Sequence, residues 1–122
     1  MKLSEVIEQV KKEKPNSFGA VHCTLFISEV ESMVQEFLKI PSDERIKYIW
    51  ERDGNRELVA PDPYSALYIS YLKGRIDYSN EEYQSYANNQ AQFIEDFNEF
   101  KSYAVREGKI RRTRESRIMN WW

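Results

Sequence analysis

The chain has 122 residues, 41% apolar and 31% charged, with 18 basic and 20 acidic side chains for a net charge of −2. That balance is expected of one soluble globular domain with a modest core. Four Gly and four Pro speak against a loop-rich all-β fold, and a lone Cys23 excludes an internal disulfide framework and fits a reducing compartment. The opening residues are charged and do not read as a secretory signal. No stretch approaches the ~20 apolar residues that span a bilayer. The expectation is a chain made in the cytoplasm and not inserted in a membrane.

Leu3, Val6, Ile7 and Val10 share one face at helical spacing, predicting a first helix over residues 3–14 that Pro15 ends. Asn16 and Ser17 offer an N-cap for a second helix over 18–39, with Phe26, Ile27, Val30, Met33, Val34, Phe37 and Leu38 on its stripe. The period then changes. Two β-prone runs, residues 46–51 and 56–60, flank Asp53-Gly54-Asn55, predicting a β-hairpin. An isolated hairpin is marginal in water, so it either packs on the helices or completes a neighbour's sheet. On that reading Ile46, Tyr48 and Trp50 are candidate subunit-interface residues.

Asp62 suits the N-cap and Pro63 the first position of a third helix, to about residue 78. Ser79-Asn-Glu-Glu82 has the capping-box pattern and opens a long fourth helix to about residue 106. Its apolar face carries Tyr83, Tyr86, Phe93, Phe97 and Phe100, and Asn88, Gln92, Glu95, Asp96 and Glu99 are expected opposite. Gln90 falls near the middle of the apolar arc, where a buried amide needs partners; it could fix helix register or face a subunit boundary. The fold expected is mainly α: a small four-helix domain over residues 1–108, one β-hairpin inserted between helices 2 and 3, and an extended C-terminal arm over residues 109–122.

Nothing in the residues assembles a catalytic or metal site. His22 and Cys23 are adjacent on a helix and point about 100° apart, so they do not form a base–nucleophile pair. One His and one Cys are too few for zinc, and no glycine-rich phosphate loop occurs. The carboxylates are expected on solvent faces at spacings that make ordinary ion pairs. A non-enzyme without metal or cofactor is expected.

The arm is the most distinctive stretch. From Lys109 onward five basic residues (Lys109, Arg111, Arg112, Arg114 and Arg117) face one acid, Glu115, a net +4 that leaves −6 on residues 1–108. It ends in Ile118, Met119, Asn120, Trp121 and Trp122. Each Trp buries roughly 150–250 Å² when sheltered. The arm reads as a solvated tail, as a nucleic-acid contact through its Arg cluster, or as a protein-docking segment with a basic shaft and an apolar anchor. The acidic body, which repels DNA, favours the last.

Four segments together carry a family resemblance: Leu3-Ser-Glu-Val-Ile7 followed by Lys14-Pro-Asn16; Ile27-Ser-Glu-Val-Glu31; Glu57-Leu-Val-Ala-Pro-Asp-Pro-Tyr64; and Leu67-Tyr-Ile-Ser-Tyr-Leu72 running through Ile76-Asp-Tyr78, Glu82-Tyr83, Tyr86, Asn88-Asn89, Phe93 and Phe97-Asn-Glu-Phe100. In this order, over about residues 2–106, the layout resembles the small head-to-tail adaptor (connector) proteins of long-tailed bacteriophages and their prophages. The resemblance implies a homo-oligomeric ring, usually of about twelve subunits, beneath the portal protein at the capsid vertex of the virion. It also implies a next neck protein (a stopper or head-completion protein) on the far side, DNA passing through the channel without specific binding, and assembly in the host cytoplasm. Portal contact in such adaptors runs through C-terminal segments, the position of residues 109–122 here; the Arg-rich, Trp-Trp ending departs from the pattern, so the arm meets the portal, an adjacent subunit, or both. The alternatives are another neck or tail-completion protein, or a small helical nucleic-acid-binding regulator.

Overall fold

A computed structural model describes residues 1–112. The described chain is mainly helical: α1 (Leu3–Glu13), α2 (Ala20–Phe37), a single turn α3 (Trp50–Asp53), a 3-10 turn (Asp62–Tyr64), α4 (Ala66–Ser79) and α5 (Tyr83–Arg106). The mainly-α class and the four long helices agree with the sequence pattern. The antiparallel α4–α5 pair makes the most extensive contact, with α1 and α2 packed across α4. Leu3, Val6, Ile7 and Val10 of α1 meet Ile27, Val30 and Val34 of α2 and Leu67, Leu72 and Ile76 of α4 in one core. On α5 the rings of Phe93, Phe97 and Phe100 stack in succession, at 5.6 and 6.2 Å between centroids.

The predicted β-hairpin is not formed, and no strand occurs among the described residues. Both of its runs are replaced by other pairings. Ile46 gives its N–H to Gln35 Oε1 (2.8 Å) and takes Gln35 Nε2 on its carbonyl (3.1 Å). Tyr48 N–H donates to Ser28 Oγ at 3.0 Å. Side chains of α2 thus satisfy backbone groups that a β-partner would otherwise take. The second run pairs with the chain's beginning instead: Leu3 N–H to the Arg56 carbonyl (3.0 Å) and Leu58 N–H to the Met1 carbonyl (2.9 Å), with one isolated bridge between Lys2 and Glu57. The intended turn fails as well. A two-residue hairpin turn of the Asp-Gly or Asn-Gly kind needs positive φ, whereas Gly54 is right-handed helical at φ −52°, ψ −35°. Asp53 is buried, accepts the Ile49 N–H at 2.9 Å and pairs with Arg52 and Arg56, which winds residues 50–53 into a helical turn.

Helix boundaries differ in detail. Gly19, not Asn16 or Ser17, is the N-cap of α2; Asn16 Oδ1 is occupied by the Phe18 N–H at 3.0 Å. Pro63 lies in the 3-10 turn before α4. Ser79 ends α4 rather than capping α5, its hydroxyl donating to the Arg75 carbonyl at 2.9 Å. Three helices close through a left-handed residue with the paired reverse bonds of a Schellman end: α2 at Lys39 (φ 57°), α4 at Glu81 (φ 59°) and α5 at Gly108 (φ 64°). Only the last uses the residue that adopts this conformation without steric cost.

Candidate protein-docking site

Several carboxylates that the sequence places on solvent faces are buried. Glu31, 0% exposed on α2, accepts Tyr48 Oη (2.6 Å), Tyr68 Oη and the Val59 N–H (3.0 Å). Tyr68 Oη in turn accepts the Ala60 N–H at 2.9 Å. Burial pushes the Glu31 carboxyl above its ordinary value, only partly offset by the two phenols and the Val59 amide. The cluster is sealed, so it has no route to a substrate; it joins α2, the 58–60 segment and α4. Asp77 of α4 is held by Lys14, by Ser85 Oγ (2.7 Å) and by Asn89 Nδ2 (2.7 Å). Burial alone raises its carboxyl, but these partners outweigh burial and hold it below the usual carboxylate range. Asp96 of α5 is also buried, binding Ser70 Oγ at 3.0 Å and Gln92 Nε2 at 2.9 Å. The signal for Glu31 and Asp96 was present in the spacing. Glu31 falls four residues after Ile27 and three before Val34, and Asp96 three after Phe93 and four before Phe100, so each sits on a core-facing stripe.

His22 and Cys23 stand apart in environment. The imidazole is exposed beside the rings of Phe18 and Phe26 (4.9 and 4.8 Å), and the thiol is buried. Among the described residues no three His, Cys, Asp or Glu side chains are grouped to hold a metal ion, and no helix is long and apolar enough to cross a membrane.

The arm begins where α5 ends. Lys109 is exposed, and its N–H completes the helix end on the Ala104 carbonyl at 2.8 Å. Ile110 packs against the core. Arg111 then crosses to the end of α2, its N–H on the Leu38 carbonyl (2.8 Å) and its guanidinium on Glu44 (2.8 Å). Arg112 is exposed. Arg114, Arg117, Ile118, Met119, Trp121 and Trp122 lie outside the described residues. The root of the arm is therefore fastened to the body at two points, Leu38 and Glu44.

The other sequence-chosen residues are spread over the body. Ile46 and Trp50 pack half-buried against the core, Tyr48 is buried on Glu31, and Gln90 is half-buried on α5. Two residues expected on apolar faces, Met33 on α2 and Tyr83 at the start of α5, are exposed instead, and so are Val21 and Leu25 on α2, Ile49 after the Tyr48 segment and Tyr78 at the end of α4. Val21 and Leu25 went unmarked because the first half of α2 is apolar on more than one face. No protein-family model, curated protein or solved structure matches this chain.

Proposed function

We propose that the chain is a structural adaptor of a phage head-to-tail junction, assembling as a ring of about twelve copies beneath the portal protein and handing on to the next neck protein. The observation that carries this reading is that segments with the family likeness form one structural unit. Glu31, Val59 and Tyr68, from three of the four segments, share a single buried hydrogen-bond cluster. Leu3, from the remaining one, hydrogen-bonds Arg56 beside it.

Charge distribution supports the same role. A body of net −6 presents a like charge to DNA in a channel, which disfavours sticking and lets the duplex slide. The net +4 arm suits a protein neighbour. The test is deletion of residues 109–122. The truncated chain should keep the helical circular-dichroism signal of the full chain and lose co-purification with portal particles; undiminished co-purification contradicts the reading.

A further inference from the structure

A groove of about 660 Å³ runs between α2 and the 42–47 segment, with Leu25 and Ile46 as its apolar lining and Arg45 and Lys47 as its cations. Tyr48 is buried and Ile46 packs against the core, so Arg45 and Lys47 alternate to the outer side of this extended run, where both are exposed. Arg45 spends its Nε on the Ile40 carbonyl at 2.8 Å, and neither cation forms an ion pair among the described residues. The carboxylate lining the groove, Glu29, is already committed: it accepts Tyr71 Oη at 2.9 Å and pairs with Arg75 at 3.3 Å. The groove is thus locally basic on a body of net −6. Leu25 stands 54% exposed within it.

The complement to this groove lies on α5. Glu95 and Glu99 run along one flank of its outward face, and Ile94 and Val105, 52% and 64% exposed, run along the other. Neither acid forms an ion pair among the described residues, and Arg106, which shares their surface, is taken by Glu107 at 3.5 Å. The spacings agree as well. Four residues of helix rise about 6 Å, and two residues of extended chain advance about 6.6 Å, so the Glu95–Glu99 repeat matches the Arg45–Lys47 repeat.

We infer that the groove receives the outward face of α5 from a second copy of the chain, Glu95 and Glu99 lying against Arg45 and Lys47, and Ile94 against Leu25. The inference rests on the adaptor reading for its ring and deepens it by naming a contact between neighbours. No residue of α5 lines the groove, and no residue of α2 or of the 42–47 segment shares the surface around Glu95 and Glu99, so one chain does not close this contact on itself. A helix laid in a groove docks through apolar anchors, here Ile94 and Leu25. The opposite charges let two bodies of net negative charge approach at this place and fix the helix in one register. The contact is heterologous, each copy giving a helix face and offering a groove, as a closed ring needs.

The test compares full-length chains by analytical ultracentrifugation: the parent, a groove variant (Arg45→Glu with Lys47→Glu), a helix variant (Glu95→Lys with Glu99→Lys), and a chain carrying all four changes. The four positions are exposed, so each variant should melt close to the parent. Lys47→Glu and Glu99→Lys alone give the same comparison should loss of the Arg45 bond to Ile40 unfold the groove variant. The groove and helix variants should each self-associate at least about tenfold more weakly than the parent. Association should return, to within a few-fold of the parent, in the four-change chain and in an equimolar mixture of the two defective variants, because both restore opposite charges at every contact. A parent that stays monomeric, a reversal that leaves association undiminished, or defective variants rescued in neither way overturns the inference. Rings on the portal formed equally well by the groove variant overturn it and leave the adaptor reading standing. Charge-rescued association of a chain that ignores portal particles overturns the adaptor reading and leaves the contact standing.

Discussion

The side-chain amide of Gln35 holds both backbone groups of Ile46, at 2.8 and 3.1 Å, in the way a neighbouring strand would. Gln35 is buried within α2, so the extended run that begins at residue 46 is bound to a helix. Replacing Gln35 by Ala leaves the part-buried N–H and carbonyl of Ile46 without these partners, at about 1–2 kcal/mol for each group. The expected loss is about 2–4 kcal/mol of unfolding free energy, measured by urea denaturation. A loss within 0.5 kcal/mol, the range of ordinary surface changes, counts against the role assigned to this amide.

Glu31 sets a pH dependence of known sign. Its carboxyl is raised above the ordinary 4.5, chiefly by burial. The folded chain therefore keeps a proton that the unfolded chain has lost, and the contribution of this group falls as pH rises from 4.5 through the folded value. Glu31→Gln should flatten the decline in melting temperature that sets in as pH rises above the ordinary 4.5. An unchanged pH profile in that variant argues against the buried carboxyl as its source.

Asp53 runs the other way. The Arg52 guanidinium beside it holds its carboxyl below the usual range, with the Ile49 amide and Arg56 adding to the effect. Its contribution is present above the ordinary 3.8 and is lost as pH falls below that value. Asp53→Ala should cost about 2 kcal/mol at neutral pH, with a smaller deficit in acid, by thermal denaturation at both pH values.

The sequence pattern reached the helices better than their connections. Periodic apolar residues located α1, α2, α4 and α5 because a 3.6-residue stripe needs only one buried face. The 46–60 region was misread because Ile46, Tyr48, Leu58 and Val59 are β-prone and extended, and their pairing partners, Gln35, Ser28, Glu31 and Met1, are remote in sequence. Local propensity cannot report a helix side chain acting as a strand. The arm was legible as charge and aromatic content, and its anchorage on Leu38 and Glu44 was not, since surface ion pairs leave no periodic mark. The burial of Asp96 lay hidden for a related reason: the residue groups with Glu95 and Glu99 by charge, although its spacing from Phe93 and Phe100 turns it inward.

Lys39 and Glu81 hold left-handed conformations at φ 57° and 59°, which cost a residue with a Cβ roughly 1 kcal/mol. Lys39→Gly and Glu81→Gly should therefore each stabilise the fold by up to about 0.5 kcal/mol after the greater chain entropy of glycine is counted. Distant sites of this kind should add within about 0.5 kcal/mol in the double variant, read from denaturant midpoints. A destabilised single variant contradicts these helix ends.

The most direct measurement is electron microscopy of the full-length chain mixed with portal particles from the same source. A closed ring of about a dozen copies seated on one face of the portal, its residues 109–122 against protein, is the predicted image. Portal particles left bare beside free monomers, or a ring attached with the Trp121 and Trp122 segment facing solvent, contradicts it.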